Sequence, residues 1–113
     1  LFQTAAEGVL VIDAASQKVV EANPAASRML GEAARRLVGR TFPDGLDPMS
    51  TQAVQAMLAA VRAVGRADDA RVRVAGSDRV LVASASLFRQ DNASLFLVRL
   101  LTEEAHGAEA LPE

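Results

Sequence analysis

Apolar and polar positions change their period twice along the chain. Gly8 to Asp13 (GVLVID) and Lys18 to Ala22 (KVVEA) are short apolar runs, closed by Asp13-Ala14-Ala15-Ser16 and by Asn23-Pro24. Runs of that length between turn residues predict two strands joined by a short turn. Asn is a preferred N-cap, and Pro suits the first helical position because its missing N–H is an orphan there anyway. A helix is therefore expected from Pro24 through Ala25, Ala26, Met29 and Leu30, with Gly31 as a permissive stop. Glu32 to Val38 reads as another turn or two of helix ended by Gly39, and Phe42-Pro43-Asp44-Gly45 as loop. Asp47-Pro48 repeats the cap-plus-proline start. Beyond it Val54, Met57, Leu58, Val61 and Val64 fall at i, i+3, i+4, i+7 and i+10, one apolar stripe on a helix that Gly65 ends.

From there the period is that of strands. Arg71 to Val74 alternates strictly, Arg79 to Phe88 and Ala93 to Leu101 are longer β-type runs, and Ala75 to Asp78 and Arg89 to Asn92 supply the turns. Two strands, short helices, one longer helix and a three-strand meander predict an α+β fold. Its five-stranded antiparallel sheet carries the helices on one face. Residues 1 to 101 make up this domain, and 102 to 113 lose the period and read as an acidic tail or linker.

A sheet with helices on one side and water on the other should alternate apolar and polar residues. Here it does not. Val9 and Val11 point one way while Leu10 and Ile12 point the other, and Leu95 and Leu97 oppose Phe96, Val98 and Leu100. Both faces are apolar, so both need a cover, and the helices of one small domain supply only one. A second copy of the domain, a helix preceding Leu1, or flanking residues of this chain would each serve. Val9, Val11, Leu95 and Leu97 are the candidate interface, although which parity faces outward depends on a register that a one-residue slip reverses.

Composition narrows the function classes. At 113 residues, half of them hydrophobic and 23% charged, the chain has room for one core and is too apolar for disorder. The absence of cysteine excludes a disulfide framework, a thiol nucleophile and a thiolate metal site. No apolar run approaches the ~18 residues of a membrane span, and a cytoplasmic location is expected. Residues 1 to 101 carry twelve cations against ten acids, a net +2 that makes no nucleic-acid surface. Eleven of the twelve cations are arginine and alanine is about a fifth of the chain, as in proteins from GC-rich bacterial genomes. Opening on Leu1, the chain reads as a piece of something longer.

No catalytic constellation emerges. The sole histidine, His106, lies in the acidic tail, and Glu103, Glu104 and His106 there lack the preorganised shell that a metal site needs. Asp68-Asp69 reads as a turn before a strand, and no phosphate-cradling glycine motif occurs.

GVLVID followed by VVEANPAASRMLG, then Leu37-Val38-Gly39-Arg40-Thr41-Phe42 before the long helix and three closing strands after it, resembles a PAS domain over about residues 1 to 101. Ser84 to Gln90 (SASLFRQ) with Leu95 to Leu100 (LFLVRL) further resembles the first PAS domain of the PpsR/CrtJ-type repressors of photosynthesis genes. The resemblance implies a non-catalytic sensory and dimerisation module attached to an effector domain of the same polypeptide. For the narrower group it implies a helix-turn-helix effector and a flavin-containing antirepressor as partner, so that DNA contact lies off this chain. It implies no cofactor: the long helix lacks the histidine of the haem-binding branch, and Gly39-Arg40-Thr41 lacks the cysteine of the flavin-adduct branch. A non-covalent ligand would lie between helices and sheet, lined by Met29, Leu30, Phe42, Met49, Met57 and Leu58; the alternative is that these residues fill the core.

Overall fold

The computed structural model describes residues 7 to 103. Strands β1 (Gly8–Asp13) and β2 (Val19–Ala22) are followed by helices α1 (Pro24–Leu30), α2 (Ala34–Leu37) and α3 (Pro48–Val64), then by β3 (Ala70–Arg73), β4 (Val80–Gln90) and β5 (Ala93–Thr102). The sheet runs β2-β1-β5-β4-β3 and every neighbouring pair is antiparallel. The first and last strands thus pair at its centre, Gly8 opposite Leu100 and Ile12 opposite Phe96.

Local chemistry explains the element ends. Both long-range helices begin as expected: Asn23 Oδ1 accepts from the Ala26 N–H (2.9 Å) and Asp47 Oδ1 from the Ser50 N–H (2.8 Å), each ahead of a proline. Gly31 and Gly65 end α1 and α3 at φ of 72° and 86°, in the left-handed region that glycine occupies without penalty. The β4–β5 hairpin turns on Asp91 and Asn92 alone, at φ of 54° and 67°, the mirror-image turn whose twist matches the flanking strands. Strand β4 therefore runs to Gln90, beyond the Phe88 limit expected from hydrophobicity. Val74 falls outside β3 and forms an isolated bridge with Leu46.

The edge strand β3 is closed by the start of α3. Arg73 donates its N–H to Ser50 Oγ (2.8 Å) and its carbonyl accepts from the Asp47 N–H (2.9 Å). This explains how Ser50 comes to be a buried polar residue. Along α3, Val54, Met57, Leu58 and Val61 are buried as their spacing requires, but Val64 is 73% exposed. It lies at the rim of the stripe, in the last turn, beyond the part of the helix that meets β3 and β4.

Candidate functional site

Among the described residues, helices cover one face of the sheet only. The inner row, Leu10 and Ile12 on β1 with Phe96, Val98 and Leu100 on β5, is fully buried beneath them. Phe42, Met57 and Leu58 join it in one continuous core, and Met29 and Leu30 pack half-buried against it. Met49, expected among these residues, is 81% exposed: it follows Pro48 in the first turn of α3 and lies outside the core, at an open hollow beside Val72 and Val80. The interior is closely filled where α1 crosses β1. A methyl group on Gly8 would lie 2.9 Å from the Cα of Ala26, well inside contact distance. At the opposite end of the core Arg62 lies over Phe96, 5.5 Å from the ring centroid, and donates to the Ala14 carbonyl.

The outer row is different. Val9, Val11, Leu95 and Leu97 share the face without helices and are half-buried. Cross-strand pairing sets them side by side, Val11 opposite Leu97, with Leu95 opposite Phe88 on β4. Sequence reasoning left Val20, Val38 and Phe88 without a role, and the structure brings all three to this face. Val20 and Val38 are each 46% exposed and Phe88 is 36% exposed. Val9, Val11, Val20 and Val38, with Glu21, Ala22 and Asn23, line a groove of about 390 Å³ on the β2 side. Their signal in the sequence was faint, because Val38 follows the buried Leu37 and reads as the end of a helical turn.

Ion pairs flank this apolar strip. Arg99 on β5 reaches Glu7 with two nitrogens, at 2.6 and 3.1 Å, and the hydrogen bond from Arg99 holds the Glu7 carboxyl below its ordinary value. Arg71 on β3 pairs with Glu103, and opposite Arg71 the outward Val82 is buried. The apolar strip thus lies on β1 and β5, reaches Val20 on β2 and Phe88 on β4, is bordered by the outward Glu21, Ser84 and Ser86, and stops short of β3. Such a surface can bury itself against another apolar surface.

Among the described residues no group of three or more His, Cys, Asp or Glu is placed to hold a metal, and no helix is long and apolar enough to cross a membrane. Glu104 and His106 lie outside the described residues, as does the rest of the acidic tail beyond Glu103.

Comparison with known proteins agrees with this geometry. The PAS domain of nitrogen regulation protein NR(II) from Vibrio parahaemolyticus superposes with a TM-score of 0.67 at 20% identity, covering 85% of this chain and 88% of that one. The PAS-B domain of Drosophila melanogaster Cycle with bound ethylene glycol gives 0.68 at 13% identity over 84% and 98%. A PAS domain from a two-component sensor histidine kinase gives 0.66 at 12% identity over 86% and 85%. At these identities the likeness is one of fold. A search of curated proteins gives no significant match. A PAS domain family model, however, matches residues 1–65, more than half of the chain. On that match, and on a five-stranded antiparallel sheet with helices on one face, the chain belongs to the PAS domain family.

Proposed function

We propose that this PAS domain is a non-catalytic sensory and dimerisation module of a cytoplasmic bacterial transcriptional regulator, passing a signal to an effector domain of the same polypeptide. The observation that carries the reading is the half-buried outer row of Val9, Val11, Leu95 and Leu97 on the face without helices. Self-association through that face would bury it. The likeness of Ser84 to Gln90 and Leu95 to Leu100 to the first PAS domain of PpsR/CrtJ-type repressors favours a DNA-binding helix-turn-helix as the effector, with an antirepressor protein as a further partner. Sedimentation equilibrium tests the reading: the wild-type chain should associate with concentration, and Leu97→Asp should stay folded by circular dichroism but become monomeric. A monomeric wild type at high concentration would overturn it.

A second reading has its own support. Structural neighbours include a sensor histidine kinase domain, and the Cycle domain holds a small molecule. On that reading the chain is a ligand-sensing domain of a histidine kinase or another signalling protein. The tight approach of α1 to β1 at Gly8 and the filled core weigh against a preformed cavity. Native mass spectrometry and an absorption spectrum of the purified protein discriminate: a retained small molecule favours the second reading, and a bare chain the first.

A further inference from the structure

The two edges of the sheet are finished differently. On β2 the Val19 N–H donates to the Arg40 carbonyl and the Val19 carbonyl accepts from the Gly39 N–H, so a neighbouring segment occupies the outer side. On β3 the outer side is answered at Arg73, whose N–H and carbonyl are taken by Ser50 Oγ and the Asp47 N–H. Residues two apart in an antiparallel edge strand present their backbone groups to the same side. The N–H and carbonyl of Arg71 therefore face outward as well, and among the described residues nothing pairs with either. The surface beside them is open. A hollow of about 460 Å³ wraps the edge, with Met49, Ser50, Ala53, Val72 and Val80 in its lining. It shares Ala53 with a second hollow, of about 650 Å³, between Ala56 and Ala60 of α3 and the chain at Ala67 and Ala70. We propose that the β3 edge takes up an extended segment of a partner protein, with apolar and acidic residues in alternation, as an added strand.

The alternation follows from strand parity. Val72 is buried beneath α3, so Arg71 and Arg73 on either side of it turn to the helix-free face. A residue of the added strand opposite Arg71 turns the same way. Its Cβ stands roughly 4.5–5.5 Å from that of Arg71 and roughly 7–8 Å from Arg73 on the diagonal, and opposite charges across such a pair are favourable. A carboxylate fits there. Arg71 already takes one from Glu103, in an ion pair that leaves its side chain 68% exposed, and a guanidinium has donors to spare for a second. The residues before and after turn the other way, toward Met49 and Ala53, where apolar side chains would cover the exposed Met49. The same arginines disfavour a second copy of this chain as the occupant. Two β3 edges laid together would set Arg71 and Arg73 against their own counterparts, and charge on a short edge strand is a device against such pairing. The register is also limited: α3 closes the edge at Arg73, so the added strand pairs at Arg71 and continues from there along the second hollow.

Amide NMR of the isotope-labelled chain tests this without knowledge of the natural partner. In the free protein the Arg71 amide should exchange with solvent faster than that of Val72, which faces Leu81 on β4; equal protection would mean that the edge is already occupied, and the proposal would fall. The probe is a blocked pentapeptide with valine at its odd and glutamate at its even positions. It should shift the Arg71, Val72 and Ala53 signals and slow exchange at Arg71. Lysine in place of glutamate, or N-methylation of both glutamates, should weaken binding about fivefold or more, since the first reverses the charge pairing and the second removes the backbone donors. Arg71→Glu should do the same, and so should Ala53→Arg, which fills the hollow, each with its folding checked by circular dichroism. Shifts at Val11, Val20 and Val38 instead would put the peptide on the helix-free face and overturn the proposal. Equal binding of the methylated peptide, or no shift at millimolar peptide, would overturn it too, and equal binding of the lysine peptide would overturn the acidic character given to the partner.

Discussion

Asn23 joins two elements with one side chain. Its Oδ1 accepts from the Ala26 N–H inside α1 and from the Val9 N–H on β1, both at 2.9 Å, while its Nδ2 donates to the Glu7 carbonyl at 3.0 Å. Loss of an N-cap costs ~0.5–2 kcal/mol, and here two further partners lose their bonds. Asn23→Ala should therefore lie at or above the top of that range in urea denaturation. Asn23→Asp keeps the acceptor, loses the donor, and should cost less. The cap was legible from Asn-Pro alone. The bond to Val9 was not, because it crosses fourteen residues and exists only once α1 lies against β1. Gly8 records the same approach from the other side. Gly8→Ala would place its methyl group on the Ala26 backbone, which cannot yield as a flexible side chain can, and overpacking of this kind costs ~1–3 kcal/mol. Unchanged stability of Gly8→Ala would show that α1 sits farther from the sheet.

Helix α3 was the most legible element, since its period and both ends are local properties. Leu58→Ala should destabilise by about 2–5 kcal/mol as a large-to-small change in a packed core, while the exposed Gln52 should tolerate alanine within ~0.5 kcal/mol. Equal losses at the two positions would contradict this orientation of the helix. Gln55 is a poorer control than its exposure suggests. Its Oε1 accepts from Gln17 Nε2, which also donates to the Phe42 carbonyl, so that Gln17 ties the β1–β2 turn to the loop before α3 and to α3 itself. No sequence pattern announces such a junction, and Gln17 occupies it at a φ of 61°, where glycine or asparagine is more usual. The caps also predict a pH dependence. The Ser50 hydroxyl and N–H hold the Asp47 carboxyl below its ordinary 3.8, and the Ser16 N–H and hydroxyl do the same for Asp13. A carboxyl depressed on folding adds stability that is present above its unfolded value and is lost as pH falls through the folded one. Urea midpoints should thus hold from neutral pH down to about 5 and decline below about 4. Asp47→Asn, which keeps a capping oxygen, should make that decline shallower.

At the scale of the whole molecule the sequence was least explicit, because the sheet is assembled from its ends inward. β1 and β5 occupy the centre although almost the whole chain separates them, and their pairing rather than any local run decides which residues face the helices. The two apolar rows were plain in the sequence; the side each takes was not, since neighbouring residues of a strand point to opposite faces. The structure assigns Phe96 to the inner row, fully buried, and Leu95 to the outer row, half-buried and facing Phe88. These neighbours should therefore respond to the same substitution in opposite ways. Phe96→Asp places an unpaired carboxylate in the core, where the desolvation cost of several kcal/mol rivals the ~5–15 kcal/mol that stabilises an ordinary domain. That variant should be unfolded or nearly so by circular dichroism. Leu95→Asp sets its charge on a face open to water, so it should keep the wild-type spectrum and most of the stability, and lose self-association in the ultracentrifuge. A reversal, with Leu95→Asp unfolded and Phe96→Asp folded, would mean that the β1–β5 register is shifted by one residue. Loss of folding in both would mean that the outer face is already covered within a single chain.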